Sequence, residues 1–177
     1  MILKKHFNQL LLLALIMSSF TENNGPAEHQ ADSKLFRFSK EITLTHRGDE
    51  YGEWGGDETT LKVYRDLGKK KMSVDLTITD GSANFPYAPK SKRDVPRDDK
   101  FPVVFEKYGV ELSQVEMRLI EKSVLDLVKN KIRNEQIFVN AGIFNSVISS
   151  DSSLLIKDYP SIKWDSFHEL VKLIKEK

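Results

Sequence analysis

The sequence predicts an α+β domain, an antiparallel sheet of three to five strands packed on one face by two helices. Three observations carry this. Apolar residues alternate over three segments in the first half, apolar stripes with helical spacing follow at about 114–133 and 167–177, and no internal repeat interrupts that order.

Ahead of the domain stands a segment read as an address. Lys4 and Lys5 precede an apolar run, Leu10 to Met17, and then Ser18, Ser19, Phe20 and Thr21. This is the pattern of a secretory signal peptide, expected to be cut near residue 21. Counted generously from Phe7 to Phe20 the run has 14 residues, whereas a membrane-spanning helix needs about 20, so no stable anchor is expected after cleavage. Residues 22–33 lack an apolar period and read as a flexible leader, leaving 34–177 as one domain. The whole chain has 27 Lys and Arg against 26 Asp and Glu, and removing Lys4 and Lys5 leaves the mature chain at a net of −1. Such a balance provides no electrostatic case for nucleic-acid binding. With no cysteine there is no disulfide, thiolate nucleophile or Cys-ligated metal, and there is no Asn-x-Ser/Thr sequon. An exported, disulfide-free domain suits a bacterial periplasmic or secreted protein.

From Leu35 to Arg47, Phe36, Phe38, Ile42 and Leu44 share one parity, with Lys40 discordant at an expected bulge. Leu61 and Val63 mark a second strand, which stops at Asp66-Leu67-Gly68. Met72, Val74, Leu76 and Ile78 form a third with the cleanest period in the chain, and the short connections favour a meander. Asp80 to Pro102 breaks the pattern with four of the six prolines and a mixed charge run from Lys90 to Lys100. Ser113-Gln-Val-Glu116 has capping-box spacing. Met117, Ile120, Val124, Leu127 and Val128 then lie on one stripe, with Arg118, Lys122, Asp126 and Lys129 opposite. Ile137 to Ile148 is ambiguous between helix and strand. Leu154 to Ile156 reads as a short buried strand ended by Asp158-Tyr159-Pro160-Ser161. Ser166-Phe-His-Glu169 offers a second capping box, with Leu170, Val171 and Ile174 on the apolar face of the last helix and His168 opposite them in solvent.

The connection between the first two strands is the most unusual segment. His46 to Glu58 holds the acids Asp49, Glu50, Glu53, Asp57 and Glu58, the aromatics Tyr51 and Trp54, and four glycines. Oxygen ligands and glycines suit a cation, but the Asp-x-Asp-x-Asp-Gly spacing of a calcium loop is absent. Tyr51 and Trp54 suit a protein or carbohydrate contact, and a structural alternative folds Trp54 back on the sheet edge as an anchor. His46 beside these acids has the surroundings of a general base, or of a strand-end histidine bonded to a carbonyl. No His-Glu-x-x-His, Gly-x-Ser-x-Gly or phosphate-loop motif occurs. The serines around Asp151 read as a turn.

No catalytic residue, metal ligand or cofactor is therefore assigned. The expected function is binding of a partner, a protein rather than a glycan, as an inhibitor or immunity-type protein would do, through Asp49, Glu50, Tyr51, Glu53, Trp54, Asp57 and Glu58. The alternative is a hydrolase using a carboxylate pair from the same loop, with a divalent cation and His46 assisting.

Overall fold

The computed structural model describes residues 35, 40–52, 55–65, 71–84, 102–133 and 142–177. All lie in one compact unit, Leu35–Lys177. The signal and leader calls, Phe36, Phe38, Glu53, Trp54, the Lys90–Lys100 run and 134–141 lie outside the described residues.

Among the described residues, six strands form one antiparallel sheet. They are β1 (Glu41–Arg47), β2 (Glu58–Arg65), β3 (Met72–Thr79), β4 (Val103–Glu111), β5 (Ile143–Ser149) and β6 (Leu155–Ser161). Helix α1 (Gln114–Arg133) connects β4 to β5, and α2 (Asp165–Glu176) follows β6. The spatial order is β4-β3-β2-β1-β5-β6, so β1 to β4 make the predicted meander, extended by one strand. The α1 connection returns the chain to the far side of β1, where β5 pairs with a strand about a hundred residues earlier, Leu44 opposite Val147 and His46 opposite Asn145.

The core lies on one parity of this sheet. Ile42, Leu44, Leu61, Val63, Val74, Leu76 and Val147 are buried in one cluster with Ile120, Val124 and Leu127 of α1 and Phe167, Leu170 and Ile174 of α2. Each such side chain contributes roughly 1.5–3 kcal/mol by leaving water, which a cysteine-free chain must obtain from packing alone. The α1 start is the predicted capping box: the Ser113 amide donates to Glu116 Oε2 at 2.6 Å, and the Glu116 amide donates to Ser113 Oγ at 3.3 Å.

Several expectations need correction. The sheet has six strands rather than three to five, because β4 carries no clean alternation. Val103 and Val104 are both exposed at its start. A bulge around Gly109 sets two residues of β4 against one of β3, and the Gly109 amide donates to the Asp75 side chain at 2.8 Å. β5 resolves the ambiguity of 143–148 as extended structure. β6 continues through Asp158 to Ser161, since an edge strand tolerates Pro160, reached here by a cis Tyr159-Pro160 bond.

The second capping box does not form. Helix α2 starts at Asp165, its N-cap Trp164 makes no side-chain cap bond, and Ser166 lies inside the first turn, where its hydroxyl donates to Asp126 at 2.8 Å. Asp126 is thereby half-buried rather than on the solvated side of α1.

Candidate functional site

The register brings four connections to one end of the sheet: the β1–β2 loop, the segment after β3, the approach to β5, and the junction of β6 with α2. Two groups of polar side chains lie there.

The first is the acidic loop. The Gly48 amide donates to the Asp57 carbonyl at 3.0 Å, Tyr51 to Gly55 at 2.8 Å, Gly52 to Asp49 at 2.9 Å and Gly55 to Gly52 at 3.0 Å, so the described part of the loop is held by its own backbone. The Glu50 carboxylate folds across it. A Cβ on Gly56 would lie 2.7 Å from the Gly48 backbone carbonyl carbon, besides meeting the movable Glu50 carboxylate, so the loop backbone itself favours glycine there. A short 3-10 turn, Gly81–Asn84, braces the loop from the β3 side. The Gly81 amide donates to Asp57 Oδ1 at 3.0 Å, and Gly81 approaches so closely that a Cβ would lie 2.0 Å from the Gly56 carbonyl oxygen. Partial burial, then the charges of Asp57, Asp80 and Glu50, raise the Tyr51 pKa above its usual value; a hydrogen bond with Ser82 opposes them.

Of the seven residues predicted for the site, Asp49, Glu50, Tyr51, Asp57 and Glu58 are described and share this loop or its closing strand. Asp49, Glu50 and Asp57 are exposed, and no ion pair among the described residues engages any of the four described acids. No group of three or more His, Asp or Glu side chains suited to a metal occurs among the described residues.

The sequence singled out His46 but not the group to which it belongs. His46, Asn145 and Asp158 occupy successive core-facing positions on β1, β5 and β6, and all three are buried. Asn145 Nδ2 donates to the Ile162 carbonyl at 3.0 Å and to Ser161 Oγ at 2.9 Å, and Ser161 donates to Asp158 Oδ2. A carbonyl can only accept, which turns Asn145 Oδ1 toward His46 and makes His46 Nδ1 the donor across 2.7 Å. The hydrogen bonds thus run one way, from imidazole through amide and hydroxyl to carboxylate, an arrangement in which each bond polarises the next. His46 is oriented by an amide and, among the described residues, bonds to none of the loop acids.

His168 closes the group. It is half-buried against His46, with ring centroids 4.5 Å apart and planes at 82°, rather than pointing into solvent. Its pKa lies below the ordinary histidine value because of burial, followed by the influence of His46 and Lys163, while Asp165 opposes. The available signal was polar residues at core parity: His46 follows Ile42 and Leu44, and Asp158 follows Ile156. What the sequence lacked was the register that joins them.

No protein-family model, curated protein or solved structure matches this chain. Among the described residues, no helix is long and apolar enough to cross a membrane.

Proposed function

We propose that the chain is an exported binding protein that engages a protein partner with a basic surface through the 49–58 loop, in the manner of an inhibitor or immunity-type protein. One observation carries the reading: Asp49, Glu50 and Asp57 are exposed on a loop ordered by four internal backbone hydrogen bonds and braced by Gly81. A rigid loop loses little conformational entropy on binding. Carboxylates without ion-pair partners among the described residues meet cationic groups without first breaking a salt bridge, and they contribute mainly to association rate and specificity. Tyr51 and Trp54 supply the flat apolar area typical of binding hot spots. Export rests on Lys4, Lys5 and the Leu10–Met17 run.

The full chain, expressed with its N-terminus intact, is tested for a partner retained at low salt and released at high salt. Asp49→Lys with Glu50→Lys, which leaves the Asp57–Gly81 brace in place, should abolish retention. Trp54→Ala should weaken binding by about 2 kcal/mol or more without lowering the melting temperature. A partner held equally well by the charge-reversed chain would reject the loop as the contact, and an N-terminus still beginning at Met1 in the extracellular or periplasmic fraction would reject cleavage.

A further inference from the structure

His46 and His168 reach each other from different layers, one from the end of β1 and the other from the first turn of α2. Phe167 flanks both, with centroids 6.0 Å from His46 and 5.9 Å from His168. The bond from Nδ1 of His46 to Asn145 fixes the ring on which His168 packs.

The described surroundings of His168 are poor in groups that would compensate a charge on its ring. From β6, Asp158 is linked to His46 through Ser161 and Asn145. β5 presents Asn145, and β2 places Thr59 opposite His46; neither titrates. From the β6–α2 junction come Lys163 and Asp165, paired with each other at 3.1 Å. No carboxylate among the described residues hydrogen-bonds to His168.

We propose that the His46–His168 contact is an acid-sensitive latch, in which the uncharged His168 ring packed on His46 holds the first turn of α2 on the sheet and protonation of His168 in mildly acidic solution releases it. A charged His168 ring, half-buried against His46 at 4.5 Å between centroids, loses hydration without a carboxylate hydrogen bond among the described residues to replace it. Separation returns the charged ring to water. The sign follows from linkage. His168 takes up its proton less readily folded than unfolded, so the interaction is fully present above the unfolded value and is lost as pH falls through the folded one. The swinging segment carries Phe167 out of its stack on Trp164, where the rings are 4.6 Å apart. The latch thereby couples proton uptake to exposure of core surface.

Amide hydrogen exchange of the full chain, corrected for intrinsic rates, tests this at about pH 7.5 and about pH 5, on either side of the histidine range. Protection of 165–170 should fall at the lower pH relative to the middle of α1, the direction that weaker proton uptake in the folded state requires. His168→Phe retains an aromatic ring and removes the titration, so the acid-dependent loss should disappear. Equal protection of α2 at both pH values, or the same loss in the Phe variant, would overturn the proposal. In the unsubstituted chain, the ring resonances of His168 should titrate below the value of free histidine. A midpoint at or above that value would also overturn it, whether or not the variant folds.

Discussion

The indole Nε1–H of Trp164 donates to the backbone carbonyl of Ser123 at 2.9 Å, tying the residue before α2 to the middle of α1. Trp164 is 1% exposed and stacks on Phe167 at an interplanar angle of 13°. This contact replaces the polar cap that α2 lacks: a large apolar side chain with one satisfied donor fixes where the helix begins.

Trp164→Phe keeps most of the apolar contact but loses the hydrogen bond and part of the filled volume, and should cost about 1–3 kcal/mol. Trp164→Ala should cost about 3–5 kcal/mol. Urea unfolding measures both, and a Phe variant as stable as the parent would show that the indole bond contributes nothing.

Glu116 joins both ends of the helical layer. It accepts from the Ser113 amide and from Lys177 Nζ at 2.6 Å, while Lys177 also donates to the Glu111 carbonyl at 2.7 Å. Burial alone would raise the Glu116 pKa, but the hydrogen bonds from Lys177 and Ser113 outweigh it and hold the carboxyl below its ordinary value of 4.5. Its contribution is therefore present above that value and lost as pH falls through the folded-state pKa. Lys177→Met should lower stability by about 1–2 kcal/mol at neutral pH, reduced from a fully buried pair because Lys177 is partly exposed. Melting followed from pH 7 into the acid range should show the deficit shrinking as Glu116 protonates.

Gly81→Ala should displace the turn from the acidic loop, because the added methyl meets the Gly56 carbonyl. The expected cost is about 1–3 kcal/mol, the range of an overpacked site. Exchange of the loop amides should quicken while α1 stays protected. Uniform loss of protection would instead make the brace part of the global core.

Asn145→Ala removes the link between His46 and Ser161 and leaves buried polar atoms without partners. A loss of about 2–3 kcal/mol is expected. Asn145→Ala with Ser161→Ala should cost less than the two single losses added together, since both sever one chain. Strict additivity would argue that the bonds act independently.

How far the sequence could be read depended on whether a residue's partners were near it in the chain. The α1 start was legible because Ser113 and Glu116 are three apart and cap each other. β3 was legible because Val74 and Leu76 face a single core. Ser166 and Glu169 repeat that spacing, yet Trp164 sets the helix start and Asp126 takes the Ser166 hydroxyl, which no local pattern records. β4 was hidden by its bulge, and its edge position leaves Val103 and Val104 both in solvent. The acidic loop stood out by composition, but its brace through Gly81 required β2–β3 pairing. The imidazole chain required three registers at once.

The seam between β1 and β5 has a consequence for the order of assembly. The hairpins β1–β2, β2–β3 and β5–β6 need only short loops to close, and their contacts form early. The β1–β5 seam must wait until α1 has been traversed, since its partners are about a hundred residues apart. A nascent chain can therefore lay down the four-stranded meander while the core face of β1 to β3 is still bare and β1 is still an open edge. Closing the seam converts that edge into the interior of the sheet, so the step that completes the fold is also the step that removes its most adhesive surface.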